Sequence, residues 1–475
     1  LKTKDKQKLV KIKTELDLIS KEMATRHLLD FCLHTFPGYI TAKVIRFLAD
    51  ELEQVLSGET KRLIVTMPPR DGKTELTSVR LPAFWLGKKP DDRIILSSYS
   101  SSLSTRNSRQ IRNLISDKEI YPFDINLAPD SRAVDFWELD KHRGGLMAAG
   151  IGGSITGHGA NLFIVDDPHK NMTEALSLTM RDKVWEFYEG VARTRLEPGA
   201  AIIIIMTRWH PDDLVGRLLK GNENFKLINL PAIAEENDTL GRKVGEPLFK
   251  ERYDLKALKE IRESVGSRVW WSLYQGNPEK GSGKKLIQRD WIRWYSELPP
   301  RCLPFGGIDT ATSQKTSGHD SALVEAMQSK DGFIYIDNVE KGQFSVSAFS
   351  DVILGRQVVR PFSLIHMELN NAGEAIKQRI LEKGKETTPK IYPPIVGVVA
   401  TTDKTARLMP FTPLIENGTV LFNRNNPKVV QLVDNLCEFA TGDDFDDVDA
   451  FVWALDAVEG LARMNKVRFR RIVGD

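Results

Sequence analysis

From about residue 60 the chain alternates short apolar runs with longer stretches in which apolar residues recur at helical spacing. The runs "RLIVTM", "RIILSSY", "NLFIVDD" and "AIIIIMT" are strand length and apolar throughout, as strands covered on both faces are. The segments between them, at 73–86, 101–115 and 176–196, carry the helical period, and this alternation predicts a parallel α/β sheet over 60–275. Residues 1–59 read as a helical lead-in. At 276–286, around "GNPEKGSGKK", the hydrophobic period disappears and turn formers dominate, which predicts a linker.

Beyond the linker, over 287–475, the pattern restarts. "PFGGIDTA" reads as a strand ending in an acid, "SALVEAM" and "GFIYIDNVE" as two strands joined by the turn "SKDG", and "PFSLIHMELN" as a fourth. Helical stretches follow at about 373–383, 427–440 and 446–463, giving a second α/β domain that begins with antiparallel strands.

Size suggests two or three domains, because 475 residues exceed one ordinary core. A hydrophobic content of 41% with 28% charged residues describes a globular chain, and the longest apolar run, "AIIIIM", is far short of a membrane span. The charged start "LKTKDKQKLVKIKTELDL" has no apolar signal core, so secretion is not expected. Cys32, Cys302 and Cys437 lie far apart with no metal or disulfide spacing, which fits a reducing cytoplasm. Sixty-seven Lys and Arg stand against 64 Asp and Glu, so bulk charge does not mark a nucleic-acid binder. Local basic stretches are the alternative: the tail with Arg463, Lys466, Arg468, Arg470 and Arg471, and the linker flank with Lys284, Lys285, Arg289 and Arg293 around Trp291 and Trp294. The tail equally suits a solvated end, and the tryptophans equally suit core packing.

Chemistry first shows in "MPPRDGKTE". A strand running into Gly72, Lys73 and Thr74 at a helix start is the context of a phosphate loop, although Met67 stands where its first glycine belongs. Lys73 would reach the β and γ phosphates of ATP and the Thr74 hydroxyl would bind Mg²⁺; Arg70, Asp71, Gly72 and Glu75 complete the expected nucleotide-binding stretch. Downstream, "NLFIVDDPHK" delivers Asp166, a metal-coordinating carboxylate, and Asp167, placed to orient the attacking water. "IIIIMTRWHPDDL" ends in Thr207, placed to sense the γ-phosphate and couple that state to the rest of the protein, whereas Trp209 and His210 read as packing and capping residues.

In the second domain Asp309 ends the first strand, Glu368 ends the fourth, and Asp443, Asp444, Asp446, Asp447 and Asp449 cluster before the last helix. Each alone is an ordinary turn or cap residue. Together the order resembles an RNase H-like nuclease, in which acids hold two Mg²⁺ or Mn²⁺ ions roughly 3.5–4 Å apart on a phosphodiester. Register favours Asp446 or Asp447 as the helix ligand with Asp309 and Glu368; Asp449, on the face of Asp446, stays open. Asp320 is a weaker candidate, and Asp337 reads as structural.

Taken in order, "MPPRDGKTE", "FWLGKKPDDRIILSSYSSSLSTRNSRQIR", "SITGHGANLFIVDDPHKN", "TRWHPDDLVGRLL", "GGIDTA" and "DDFDDVDAF" resemble the large terminase subunit of tailed bacteriophages over nearly the whole chain. The resemblance implies a P-loop ATPase domain, an RNase H-like nuclease domain, ATP-driven packaging of double-stranded DNA and cutting of concatemers. It implies as partners the portal protein, the small terminase subunit and a homo-oligomeric ring, with a monomer in isolation. It places the protein in the host cytoplasm and transiently at the prohead portal, not in the mature virion. It gives Arg70 a γ-phosphate contact, and it leaves a trans-acting arginine open between Arg143 and none at His158. The rival readings are a helicase-nuclease of DNA repair and a nonhydrolysing assembly module.

Overall fold

The computed structural model describes residues 3–155, 157–281, 285–310, 320–369, 371–439 and 445–473. It divides into two compact units, Leu1–Gly281 and Ser282–Asp475. Among the described residues no helix is long and apolar enough to cross a membrane.

The first unit is built on eight strands: β1 (Arg62–Thr66), β2 (Arg93–Ser98), β3 (Leu127–Arg132), β4 (Phe136–Leu139), β5 (Gly145–Gly150), β6 (Ala160–Asp166), β7 (Leu196–Met206) and β8 (Lys226–Asn229). Their order is β3-β4-β5-β2-β6-β7-β1-β8. The six strands from β5 to β8 are parallel, and β3 and β4 add an antiparallel edge. Side chains alternate between faces along a strand, and here both faces are covered. Leu63, Val65, Ile203 and Ile205 pack with the helices Leu28–Thr35 and Lys43–Ser57, while Ile64, Ile202 and Ile204 pack with Val184, Phe187 and Leu214 on the other side. That double coverage is why the strands are apolar at every position. Thr66 is level with Met206, and Asp166 with Ile205, so β1, β7 and β6 end side by side on one edge of the sheet.

β5, "GLMAAG", escapes the strand pattern because it has no β-branched residue. Its small residues are required by close packing: a Cβ on Gly150 would lie 2.6 Å from the Ser101 backbone nitrogen, where the helix Ser101–Ser116 that follows β2 starts. The stretch expected as a linker is partly folded, with a helical turn at Pro278–Gly281 and Lys280 Nζ 4.6 Å from the Trp271 ring centre.

The second unit contains β9 (Arg293–Tyr295), β10 (Leu303–Asp309), β11 (Ser321–Gln328), β12 (Ile334–Gly342), β13 (Leu364–Glu368), β14 (Ile395–Val398) and β15 (Val420–Asn423), in the order β14-β13-β10-β11-β12-β15-β9. β10, β11 and β12 are antiparallel neighbours, and β13 and β14 continue parallel to β10. The short strands β9, β14 and β15 and the helix Val346–Val359 carry weak periodicity and were not expected from it. The helix Asp446–Val473 lies directly on β10: a Cβ on Gly307 would come within 2.0 Å of Ala450 O and Ala454 N. The same helix grips β13, where Trp453 Nε1 donates to Glu368 Oε2 (3.3 Å) and Asp456 bonds His366 Nδ1 (2.8 Å). Trp294 packs edge-on against Phe422 with ring centres 6.3 Å apart, so this half-buried tryptophan is engaged in packing.

Candidate nucleotide and nuclease sites

The phosphate-type loop leaves β1 with two left-handed residues, Arg70 (φ 65) and Gly72 (φ 91). Gly72 then accepts the first helical hydrogen bond, from Leu76 N (3.1 Å). The helix is π-wound from Glu75 to Arg80, a widened turn of the kind that accumulates at functional sites. Lys73 is buried, with Nζ 3.1 Å from Asp167 Oδ1. Thr74 Oγ1 donates to Asp166 Oδ1 (3.2 Å), and Asp167 Oδ1 also accepts from Thr207 N (2.8 Å) and Thr207 Oγ1 (3.3 Å). Asp167 holds a left-handed φ of 43, strain of the type that clusters in active sites.

Burial holds the Asp166 carboxyl above its usual range and the charge of Asp167 adds to the rise, opposed by Ser78, Lys73 and Thr74. Its Oδ2 is buried without a hydrogen-bond partner. An oxygen-only pair of Asp166 and the Thr74 hydroxyl, with one carboxylate oxygen unsatisfied, fits Mg²⁺.

Lys73, Thr74, Asp167 and Thr207 open on a cavity of about 870 Å³. Arg70, Gly72, Lys73, Thr74, Asp167 and Thr207 line its polar end; Phe36, Tyr39, Ile40, Ile45, Phe249 and Leu273 line an apolar region. The structure thus brings together the expected nucleotide residues with two exceptions of orientation. Glu75 borders the cavity but is paired with Arg80 (2.7 Å). Asp71 turns inward: it is 3% exposed, its Oδ1 lacks a partner, and burial pushes its carboxyl up to about 7 against the opposing charges of Arg252 and Lys73. His210 Nδ1 accepts from Asp212 N (3.0 Å), a capping contact, whereas Trp209 borders the cavity. His158 packs against Phe136 in a tilted contact with ring centres 4.9 Å apart, and neither it nor Arg143 borders this cavity. Sequence reading missed Phe36 and Tyr39, in "FPGY" at the end of the lead-in, and also Arg106, His169 and Arg252.

In the second unit Asp309 ends β10 at 8% exposure. Burial pushes its carboxyl up to about 8, reinforced by the charges of Asp449, Glu368 and Asp446 and opposed by Lys404. Asp320 N donates to Asp446 Oδ2 (3.0 Å). Asp449 is paired with Lys404 Nζ (2.6 Å) and with Arg407. Asp447 points elsewhere: Lys341 Nζ is 3.1 Å from its Oδ1, and Asn435 Nδ2 donates to its Oδ2 (2.6 Å). Of the two acids favoured by register, the structure therefore places Asp446 with Asp309 and gives Asp447 other partners. Asp449, three residues on, joins the group. Asp337 accepts from Tyr295 Oη (2.8 Å) and pairs with Arg360 (2.5 Å), a structural role. Asp443 and Asp444 lie outside the described residues.

Among the described residues no three His, Cys, Asp or Glu side chains converge closely enough to hold a metal ion. The carboxylates near Asp309 are hard oxygen donors that repel one another, with Lys404 opposing that repulsion, a chemistry suited to a hard divalent cation.

The first unit has the parallel-sheet fold of a P-loop NTPase and the second an RNase H-like α/β fold. Residues 64–293 match the family described as terminase large subunit, T4likevirus-type, N-terminal. Over those residues, slightly under half of the chain, it is similar to the N-terminal region of large terminase subunits. Among solved structures, a large terminase from a thermophilic bacteriophage is 11% identical, with 85% of this chain and 97% of that one covered and a TM-score of 0.50. The large terminase of bacteriophage HK97 is 13% identical over 91% of this chain and 99% of that one, with a TM-score of 0.37. The magnesium-bound large terminase nuclease of the thermophilic phage G20c is 13% identical over 37% of this chain and 98% of that one, with a TM-score of 0.29. No curated protein matches the chain.

Proposed function

We propose that this chain is a phage DNA-packaging motor, in which ATP hydrolysis by the first unit drives double-stranded DNA into a prohead and the second unit cuts concatemeric DNA. The observation that carries the reading is the convergence of Lys73, Thr74, Asp167 and Thr207 on one cavity at the ends of three adjacent strands, with Asp166 bonded to Thr74 just beneath. Lys73 binds the β and γ phosphates with Arg70, Asp167 orients the attacking water, and Thr207 reads the state of Asp167 through two hydrogen bonds. Thr74 and Asp166 would hold Mg²⁺, which neutralises phosphate charge. The apolar region around Phe36 and Tyr39 suits a nucleobase.

In the nuclease unit Asp309, Glu368, Asp446 and Asp449 would hold two Mg²⁺ or Mn²⁺ ions, which stabilise the attacking and leaving oxygens of a phosphodiester. The partners are duplex DNA, the portal protein, the small terminase subunit and further copies of the chain in a ring. The place of action is the host cytoplasm, at the portal vertex of the prohead. Incubation with plasmid and Mn²⁺ or Mg²⁺, with and without EDTA, tests the nuclease half; release of phosphate from MgATP tests the motor half. Metal-dependent cutting and ATP hydrolysis are expected, and absence of both contradicts the reading.

A further inference from the structure

Asp167 is poorly supplied to hold the attacking water alone. It is one methylene shorter than glutamate, and even with Lys73 drawn to phosphate its Oδ1 is taken up by two donors of Thr207. A water that attacks phosphorus in line needs both of its hydrogens directed to acceptors, so that its lone pair faces the phosphorus. Asp167 has one oxygen left to offer.

Two residues further on, His169 borders the same cavity as Lys73, Thr74, Asp167 and Thr207. It is 2% exposed, and both ring nitrogens are buried without a hydrogen-bond partner. A buried imidazole with two unmet nitrogens is costly unless something else meets them. The neighbouring carboxylate that could have fixed the ring, Asp213, is instead committed to Arg208 (2.8 Å) and to capping the helix Leu214–Lys220 through Gly216 N (2.9 Å). Burial keeps the imidazole neutral, with Asp213 and Glu174 favouring its charge and Arg181 and Arg217 opposing it. A neutral ring keeps one nitrogen lone pair for accepting a proton.

We propose that His169 is a catalytic residue of ATP hydrolysis, the second acceptor for the attacking water beside Asp167 and the group that takes its proton. The inference rests on the ATPase reading of this site. The water oxygen bonds to the γ-phosphorus as the bond from that phosphorus to the β,γ-bridging oxygen breaks. The electron pair leaves on ADP, and the water's proton passes to the His169 nitrogen and from there to solvent through the cavity. Pro168 ahead of His169 stiffens the backbone between the two acceptors.

The experiment compares the full chain with His169→Ala and His169→Gln for MgATP turnover and for the binding of ATP and ADP, and adds free imidazole to His169→Ala. The expected result is a fall in kcat of about 100-fold, nucleotide Kd values within about threefold of the parent's, and at least partial recovery of turnover with imidazole. Lys73→Ala should show no such recovery. A kcat for His169→Ala within about threefold of the parent, a loss of nucleotide binding that accounts for the loss of turnover, or no imidazole recovery overturns the proposal. A parent chain with no ATP turnover overturns the ATPase reading itself, and this inference with it.

Discussion

Lys73 Nζ lies 3.1 Å from Asp167 Oδ1, so the cation proposed to bind phosphate and the acid proposed to orient water occupy one another. A nucleotide triphosphate must draw Lys73 away, and that exchange frees Asp167 at the moment substrate is present. Asp167→Asn removes the ion pair but keeps an acceptor for Thr207. It should retain ATP binding and lose turnover by on the order of 100-fold, as read by fluorescent-nucleotide titration alongside phosphate release. Loss of binding with turnover per bound nucleotide intact would contradict the exchange.

Asp71 gives a pH prediction. Its folded pKa, about 7, is raised above the ordinary 3.8 by burial. A raised acid favours the folded state fully below pH 3.8, and that contribution is lost as pH rises to about 7. Asp71→Asn removes the penalty, so it should stabilise the chain more at pH 8 than at pH 5, by up to roughly 3 kcal/mol. Denaturant unfolding at the two pH values measures this; an equal effect at both contradicts an inward-facing, proton-binding Asp71.

In the nuclease unit, Asp447 and Asp449 should separate. Asp449→Asn is expected to lower metal-dependent cleavage by on the order of 100-fold or more. Asp447→Asn breaks the contact with Lys341 and should cost about 1–3 kcal/mol in stability while cleavage survives. Plasmid cutting and thermal unfolding of both variants distinguish them, and the reverse assignment would return Asp447 to the metal site.

Gly307 tests how the acids are assembled. Because the backbone of the helix Asp446–Val473 passes where its Cβ would be, Gly307→Val must push the helix off β10 and carry Asp446 and Asp449 away from Asp309. Cleavage should fall to background and the nuclease unit should melt earlier, while ATP turnover by the other unit is retained. Normal cleavage by this variant would contradict the packing.

What could be read from sequence was local. β1, β2, β6 and β7 announce themselves because burial on both faces demands an unbroken apolar run, and Asp166 at the end of β6 follows directly. β5 was hidden because its selection is for smallness against Ser101 rather than for β-branching. The choice among Asp446, Asp447 and Asp449 depends on the rotation of one helix, set by contacts with Glu368 and Lys341 that lie far away in the chain. His169 was in plain view in "DDPHK", but its unmet nitrogens are a property of packing, invisible in a string of residues.

The central claim is that one chain carries two chemically independent sites, and one paired measurement tests it most directly: ATP turnover and metal-dependent plasmid cutting by Lys73→Ala and Asp309→Ala. Lys73→Ala should lose ATP turnover and keep cutting; Asp309→Ala should lose cutting and keep turnover. Both activities surviving in both variants would contradict the two-site account.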